Sequence, residues 1–412
     1  MATLAPQSAA ARAPDPLDVS RSELYRDDVW QAPFAEIRAR GGIHWHDQTD
    51  YGPFWSIASY KPITYIESLP DVFSSQAGGI TIADFREGVD VKLPMFIAMD
   101  RPKHTGQRRT VAPAFTPSEM ARMTDDIRRR TADILDELPI GREFDWVDTV
   151  SIELTTQMLA LLFDFPWEDR RKLTFWSDWA GDIEIYKDEA KRAERLKHMF
   201  ECGAYFQQLW NSKLGKDPTP DLISMMIHSD AMAEMDPHEF IGNLILLIVG
   251  GNDTTRNSMT AYAYGLSQFP DERAKLEADP SLIHNATQEI IRWQTPLAHM
   301  RRTATQDHEV EGHLIREGDK VALWYISANR DESVFDDPDS IRVDRPNARR
   351  HLAFGHGIHR CVGARLAELQ ISVLLEEMAK RRLRVEAAGE PERVLASFVH
   401  GYRKLPVEVV RY

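Results

Sequence analysis

A glycine-rich loop that carries one cysteine constrains this chain more than any other segment. The loop reads FGHGIHRCVG over residues 354–363 and leads into an apolar segment with helical spacing. Glycines at positions 355, 357 and 363 permit a tight turn and a close approach to a flat ligand, so peptide N–H groups can point at the Cys361 sulfur. The N-terminal end of the following helix should lower the thiol pKa further. The sequence therefore predicts a thiolate that acts as a nucleophile or as a metal ligand.

The chain has only one other cysteine, Cys202, which lies far from Cys361 in sequence. Two cysteines cannot build a disulfide framework or a four-cysteine zinc site. A single iron with one thiolate ligand remains possible. Two unpaired cysteines also fit a reducing compartment.

Length and charge narrow the class of protein. The chain has 412 residues and a formal net charge of -14, which disfavours binding to nucleic acid or to anionic membranes. The longest apolar run, from Ile241 to Val249, is far shorter than the roughly 20 residues that span a bilayer. We expect a soluble, cytoplasmic protein with a disordered N-terminal tail over residues 1–20 and one large domain, or two closely joined lobes, over residues 21–412.

The apolar spacing predicts a mainly α-helical fold with small β-sheets. Short alternating segments from Leu24 to Phe73 indicate a sheet near the N-terminus. Helical spacing of apolar residues follows from Pro117, over 146–163 and over 188–214. Strand-like character returns over 321–326 and over 407–410.

The longest predicted helix runs from Glu239 to Phe269 and contains the adjacent glycines 250 and 251. Each glycine costs about 1 kcal/mol relative to alanine inside a helix, and the Thr254 hydroxyl can compete for the Gly250 carbonyl. We expect the hydrogen-bond ladder to open here and to leave a groove beside Asp253 and Thr254. The alternative is close helix packing with a polar face.

Charged residues at helical spacing suggest two further features. Glu289 and Arg292 lie one turn apart and can pair, although most such pairs are exposed and contribute little. His104 and Arg108 lie four residues apart and could grip a carboxylate, or could form a solvated basic patch. Cationic donors that could hold further carboxylates on a buried ligand are Arg302 and His359.

In this order along the chain, these features resemble the cytochrome P450 family of haem-thiolate monooxygenases. The similarity spans nearly everything after the tail. It implies a single large triangular domain of the P450 fold, with one haem b (iron protoporphyrin IX) between the long central helix and the helix after the cysteine loop. Within that loop it implies that Cys361 is the axial iron ligand and that Phe354 and Gly355 contact the haem.

The resemblance also implies roles for residues outside the loop. Asp253 and Thr254 match the family's proton-delivery pair. Glu289 and Arg292 match its core salt bridge, with Arg345 as the third member and a structural role for all three. The residues that match positions holding the haem propionates are His104, Arg108, Arg302 and His359.

The implied reaction inserts one oxygen atom of dioxygen into an unactivated C–H bond of a hydrophobic substrate. Residues 93–100 and 250–258 look like the bacterial branch that hydroxylates alkanes and fatty acids at or near the terminal carbon, although Arg101 departs from the proline expected there. The chain has no flavin or iron–sulfur motif, so a separate ferredoxin with its NAD(P)H-dependent reductase is implied. Alternatives are a terpene or steroid hydroxylase, a peroxide-driven enzyme of the same kind, and a haem sensor or electron carrier.

Three further expectations concern the surroundings of the site. An apolar chamber should be walled by residues 79–98, by the central helix near Leu247 and by residues 297–300. Aromatic residues could form a mobile lid, or plain core, at Phe163, Phe165, Trp176, Trp179 and Tyr186. A positive patch for an acidic electron donor could form at Arg349, Arg350, Arg360 and Arg365.

Overall fold

Near the N-terminus, the packed part of the chain begins at a lower residue number than the sequence predicts. The computed structural model describes residues 15–412 apart from residues 86, 88, 89 and 182–187. Within the proposed tail, Leu17 and Val19 are buried in a hydrophobic cluster. The backbone N–H of Leu17 donates to Asp15 Oδ1 at 2.9 Å, which helps fix this segment. The prediction of a disordered tail is therefore wrong for residues 15–20, and residues 1–14 lie outside the described residues.

Helices form most of the body, as predicted. Side chains cap several of their starts: Thr116 accepts from the Glu119 N–H, Asp188 from the Ala190 N–H and Asp236 from the His238 N–H. The α-helices of the described residues are α1 (Glu23–Arg26), α2 (Gln31–Ala39), α3 (Tyr60–Glu67), α4 (Lys103–Val111), α5 (Pro117–Asp136), α6 (Glu153–Phe163), α7 (Arg171–Gly181), α8 (Glu189–Lys213), α9 (Leu222–Ile227), α10 (Pro237–Gln268), α11 (Pro270–Ala278), α12 (Ile283–Gln294), α13 (Tyr325–Ala328) and α14 (Ala364–Lys380).

Small sheets flank the helices, also as predicted. The strands of the described residues are β1 (Ile43–His46), β2 (Phe54–Ile57), β3 (Phe73–Ser74), β4 (Glu143–Asp145), β5 (Met300–Ala304), β6 (His308–Val310), β7 (His313–Ile315), β8 (Lys320–Leu323), β9 (Leu383–Ala387), β10 (Glu392–Arg393), β11 (Tyr402–Lys404) and β12 (Pro406–Arg411). A five-stranded sheet has the order β1-β2-β8-β5-β3, in which β2 and β8 are parallel, and a three-stranded sheet has the order β4-β12-β9.

The strand predicted over 321–326 is too long. Strand β8 ends at Leu323, and α13 begins at Tyr325. A short apolar run does not by itself distinguish a strand from a buried helical turn. Trp324 lies at the change of direction and donates its indole N–H to Ser56 Oγ at 2.9 Å, which holds the turn against β2.

Helix α10 is central because it contacts α6, α7, α8, α12 and α14. The helix is continuous through Gly250 and Gly251, so the prediction of an opened ladder is wrong. The predicted competition does occur, since Thr254 Oγ1 donates to the Gly250 carbonyl at 2.9 Å. Packing on several sides outweighs the cost of two glycines. No helix of the described residues combines the length and apolarity needed to cross a bilayer.

A buried ion cluster joins α12 to the segment before the cysteine loop. Arg292 donates to both Glu289 oxygens at 2.7 and 2.8 Å, and Arg345 Nε lies 2.9 Å from Glu289 Oε1. All three side chains are almost completely buried. Burial alone would raise the pKa of Glu289, but the hydrogen bond from Arg292 and the charges of both guanidiniums lower it. The predicted three-residue cluster is thus present.

Candidate active site

A cavity separates α10 from the cysteine loop. Its empty volume is about 1400 Å³, including the space at its open mouth. Gly250, Gly251 and Thr254 line it from α10, and Phe354 and Cys361 line it from the loop. The two segments that the sequence singled out therefore face each other across one space.

Two of the three glycines in the cysteine loop have a positive φ. Gly355 and Gly357 have φ of 69° and 65°, which favour glycine. A Cβ at Gly357 would also lie 2.2 Å from the Glu67 carbonyl oxygen. By contrast, Gly363 has φ of -88° in the turn that leads into α14, a conformation that residues other than glycine also adopt. The Cys361 N–H closes the loop by donating to the Phe354 carbonyl at 2.8 Å.

Glu67, at the end of α3, holds the cysteine loop in place through hydrogen bonds. The sequence analysis did not identify this residue. Its Oε1 accepts from Tyr325 Oη at 2.6 Å and from Arg302 Nη2 at 2.9 Å, and its Oε2 accepts from the His356 N–H at 2.9 Å. Burial raises the pKa of Glu67. No spacing pattern could reveal this residue, because its partners lie more than 230 positions away.

The Cys361 thiol is not activated by the polypeptide alone. Burial raises its pKa, and the Gly363 N–H and the charges of Arg108 and Arg360 only partly oppose this effect. The prediction of a lowered pKa is therefore wrong for the isolated chain, because desolvation of the sulfur outweighs the loop and helix dipoles. A metal cation at the sulfur would favour the thiolate directly.

The four predicted cationic donors meet at one side of the cavity, which His104, Arg108, Arg302 and His359 all line. The rings of His104 and His359 are 4.3 Å apart. Burial, together with nearby guanidiniums, lowers the pKa of His104 to about 4 and that of His359 to about 2. Among the described residues, neither His104 ring nitrogen has a hydrogen-bond partner. In the neutral ring one of these nitrogens carries a proton, so His104 can donate one hydrogen bond to an anionic group of a ligand.

The two arginines of this group differ in their partners. Arg302 already pairs with Glu67, whereas no carboxylate of the described residues pairs with Arg108. Arg108 instead donates to the Arg360 carbonyl at 2.5 Å. Burial lowers the pKa of Arg108. An added carboxylate beside Arg108 would offset this desolvation.

Asp253 and Thr254 project in different directions from α10. Thr254 lines the cavity, while Asp253 is buried against α7 and accepts from Ser177 Oγ at 2.9 Å. Burial raises the pKa of Asp253. Asp253 also pairs with Arg256, which pairs in turn with Asp178, whose side chain is 54% exposed. Asp253 is therefore connected to the protein surface through polar side chains.

Parts of all three predicted walls line the cavity, and the lining residues are apolar. They are Phe96 and Ile97 from residues 79–98, Leu247 from the central helix, and Leu297 with Met300 from residues 297–300, whereas the other described residues of 79–98 do not line the cavity. Sequence reasoning missed the contribution of α6 and its neighbours, although the continuous apolar run over 158–163 was a visible signal. The missed apolar lining residues include Phe115, Met158, Leu159, Leu162 and Leu222.

The four described residues of the predicted aromatic set belong to the core and do not form a lid. Phe163, Phe165 and Trp176 are buried in one hydrophobic cluster, and Trp179 packs against its edge. Phe165 contacts Trp176 edge-on with ring centroids 6.3 Å apart. Tyr186 lies outside the described residues.

Comparison with known proteins agrees with this geometry. The family model named Cytochrome P450 matches residues 116–397. The chain is 35% identical over 406 residues to linalool 8-monooxygenase of Pseudomonas putida, covering 95% of this chain and 98% of that protein. It is 33% identical over 396 residues to the methyl-branched lipid omega-hydroxylase of Mycobacterium tuberculosis strain H37Rv, covering 92% of this chain and 91% of that protein.

A solved structure gives the same answer for the fold. The structure of CYP153D17 from Sphingomonas sp. PAMC 26605 is 75% identical, with a TM-score of 0.93 over 96% of this chain and 100% of that chain. The cofactor of this family is haem b, and its reaction requires dioxygen and a redox partner. The chain therefore belongs to the cytochrome P450 family and is a haem-dependent monooxygenase.

Proposed function

We propose that this monooxygenase hydroxylates n-alkanes or fatty acids at or near the terminal carbon. The apolar lining of the cavity that contains Thr254 carries the proposal. Leucines at positions 159, 162, 222, 246, 247 and 297 all line this cavity. Such a surface recognises a hydrocarbon chain by burial, at about 0.8 kcal/mol per CH₂. The likeness of residues 93–100 and 250–258 to terminal hydroxylases, and a relative named for omega-hydroxylation of lipids, support the same substrate class.

The residues at the cavity fit haem. His104 and Arg108, which pair with no carboxylate in the described part of the chain, suit the propionate carboxylates, with Arg302 and His359 beside them. Cys361 would bind the iron through its sulfur, and Phe354 and Gly355, which line the same cavity, would contact the haem. When bound, the haem supplies the activation of dioxygen.

The polypeptide supplies protons and excludes water. The Thr254 hydroxyl would present a hydrogen bond to the cavity when it leaves the Gly250 carbonyl, to which it now donates. Asp253 would replenish that proton, while Ser177 and Arg256 hold its carboxyl group in place and Arg256 itself stays charged. The leucine wall keeps other water away from the reacting carbon.

The electrons would come from a ferredoxin that binds near the cysteine loop. Arg349, Arg350, Arg360 and Arg365 are exposed around this loop, although the whole chain has a net charge of -14. Reversing two of these charges should slow reduction by ferredoxin at low salt, and added salt should reduce the difference from wild type. Unchanged reduction rates would place the docking surface elsewhere.

The substrate proposal is tested by haem difference spectra and product analysis with four compound classes. For alkanes and for fatty acids of increasing length, we expect affinity to rise by roughly fourfold per CH₂ until the cavity is full. We also expect the alcohol at or next to the terminal carbon. Linalool and a steroid serve as comparisons, because one relative is named linalool 8-monooxygenase. Tighter binding and faster turnover of either comparison compound would replace the alkane or fatty-acid proposal.

The electron source separates a reductive monooxygenase from a peroxide-driven enzyme and from a haem sensor or electron carrier. A peroxide-driven enzyme would form product from substrate and hydrogen peroxide without a reductase, and a sensor or electron carrier would form none. The presence of Thr254 in the cavity lining and of Asp253 next to it in the chain favours reductive activation of dioxygen. Turnover that depends on ferredoxin, reductase and NAD(P)H is the expected result.

A further inference from the structure

Three potential metal ligands meet at the edge of the five-stranded sheet, away from the haem cavity. Asp15 Oδ2 lies 3.3 Å from His44 Nε2 and 3.0 Å from His46 Nδ1. The three donor atoms all lie within 4.8 Å of one another. None of these residues lines the haem cavity, and the proposed function uses none of them.

The fold explains the convergence. His44 and His46 are two positions apart on β1, so their side chains leave the same face of the strand. The rings meet edge to face with centroids 4.6 Å apart, and both direct a nitrogen at the Asp15 carboxylate. The other oxygen of Asp15 accepts from the Leu17 N–H, which sets the orientation of the carboxylate.

We propose that Asp15, His44 and His46 form a binding site for a divalent transition-metal ion such as Zn²⁺. In a tetrahedral site with bonds of about 2.0–2.1 Å, neighbouring donor atoms are about 3.3 Å apart. The two separations measured to Asp15 Oδ2 are close to this value. Two imidazoles and one carboxylate are a ligand set that Zn²⁺ and related ions accept.

The surroundings of His46 resemble the outer shell of a metal ligand. Its Nε2 atom lies 2.8 Å from Ser56 Oγ, which also accepts from the Trp324 indole at 2.9 Å. This contact places the ring proton on Nε2 when Nδ1 binds the ion, and it fixes the ring plane. The ion would replace the N–H protons now directed at Asp15, and both imidazoles would stay neutral.

The opposite side of the site is open to water. The side chains of His44 and Asp15 are 26% and 30% exposed, while His46 is fully buried. Water can therefore complete the coordination from the solvent side. The ion would join the segment that begins at Asp15 to strand β1 and would stabilise the packing of Leu17 and Val19.

Zinc binding to the haem-loaded enzyme tests the site. After treatment with a chelator, the protein is dialysed against Zn²⁺, and zinc and haem iron are counted together by elemental analysis. We expect one zinc per chain, an X-ray absorption spectrum at the zinc edge with two imidazole ligands, and a higher melting temperature with zinc than without. His44→Ala and Asp15→Ala should each weaken binding by about tenfold or more.

His198→Ala is the matched control, because His198 lies near the exposed carboxylates of Glu194 and Glu201 on α8 and could hold zinc without a built site. It should leave the binding unchanged. Asp15→Asn keeps the size of the side chain and replaces Asp15→Ala in the binding measurement if Asp15→Ala does not fold. Binding of zinc to wild type only at millimolar concentration, or equal binding by His44→Ala, would overturn the proposal.

Discussion

Arg256 pairs with Asp253 one turn earlier on α10, with Nη2 3.2 Å from Oδ1. The same nitrogen is 2.6 Å from Asp178, so one guanidinium joins a buried acid to an exposed one. Thr254, the next residue after Asp253, faces the cavity instead. The two neighbours therefore have separate roles that can be tested one at a time, because Thr254 contacts the reaction space and Asp253 contacts the route to solvent.

Replacing Thr254 by alanine should separate electron consumption from product formation. The substitution removes the hydroxyl that can donate to the cavity, while the helix keeps its backbone hydrogen bonds. We expect NAD(P)H consumption to continue and the alcohol formed per NAD(P)H to fall steeply, with hydrogen peroxide as the other product. Thr254→Ser keeps the hydroxyl and should retain most of the coupling. Full coupling in Thr254→Ala would remove this residue from the proposed proton delivery.

Replacing Asp253 by asparagine should slow the enzyme and stabilise the fold at neutral pH. Burial raises the pKa of Asp253, so between the unfolded value of about 3.9 and the folded value the native state binds more protons. Stability therefore falls as pH rises through this range, and asparagine avoids that loss. We expect hydroxylation to be about a hundredfold slower. At pH 7, Asp253→Asn should melt at a higher temperature than wild type, and this difference should shrink as the pH is lowered. A lower melting temperature than wild type at pH 7 would mean that Arg256 fully compensates the charge of Asp253.

The Glu289 cluster should be structural. Glu289→Gln leaves two buried guanidiniums without their anion, and we expect a loss of about 3–5 kcal/mol in the free energy of unfolding. Glu36→Gln breaks an exposed pair with Arg40 and should cost less than about 1 kcal/mol. Urea titrations followed by circular dichroism provide the comparison. Similar losses in the two variants would contradict the structural role.

The pH dependence of this cluster has the opposite sign to that of Asp253. The folded pKa of Glu289 is lowered, so its contribution is fully present above the unfolded pKa of about 4.3 and is lost as pH falls through the folded value. Acid should therefore destabilise wild type more than Glu289→Gln. Parallel loss of stability in both proteins below pH 4 would be evidence against this linkage.

Features carried by local spacing could be predicted from the sequence. The cysteine loop, α10 and the pair Glu289–Arg292 each lie within a short stretch, so their residue types and intervals are visible. That the cysteine loop and α10 meet around one cavity followed from the family resemblance, because spacing alone does not say which distant segments touch.

Features that depend on distant partners could not be predicted. Glu67 contacts the cysteine loop across 289 positions, and Asp15 meets His44 and His46 only after β1 has formed. The pKa of Cys361 was predicted in the wrong direction, because local dipoles are visible in the sequence and desolvation is not. Residues 15–20 looked like part of an Ala- and Pro-rich tail without periodicity, yet two apolar side chains of this segment, Leu17 and Val19, are buried in the core.

Two glycines of α10 should respond in opposite ways to the same substitution. A Cβ at Gly242 would lie 2.1 Å from the Pro94 carbonyl oxygen, whereas a Cβ at Gly250 meets nothing within 4 Å. Gly250→Ala should therefore raise the free energy of unfolding by up to about 1 kcal/mol, because alanine has the higher helix propensity. Gly242→Ala should lower the free energy of unfolding by about 1–3 kcal/mol, because a backbone atom must move.

The displaced segment continues to Phe96 and Ile97, which line the cavity. The Phe96 N–H also donates to Asn243 Oδ1 at 2.9 Å, so movement of Pro94 strains this link to α10. We expect Gly242→Ala to change the ratio of terminal to subterminal alcohol, measured by gas chromatography of the products. An unchanged product ratio together with an unchanged melting temperature would show that the 93–98 segment yields easily and does not select the carbon that reacts.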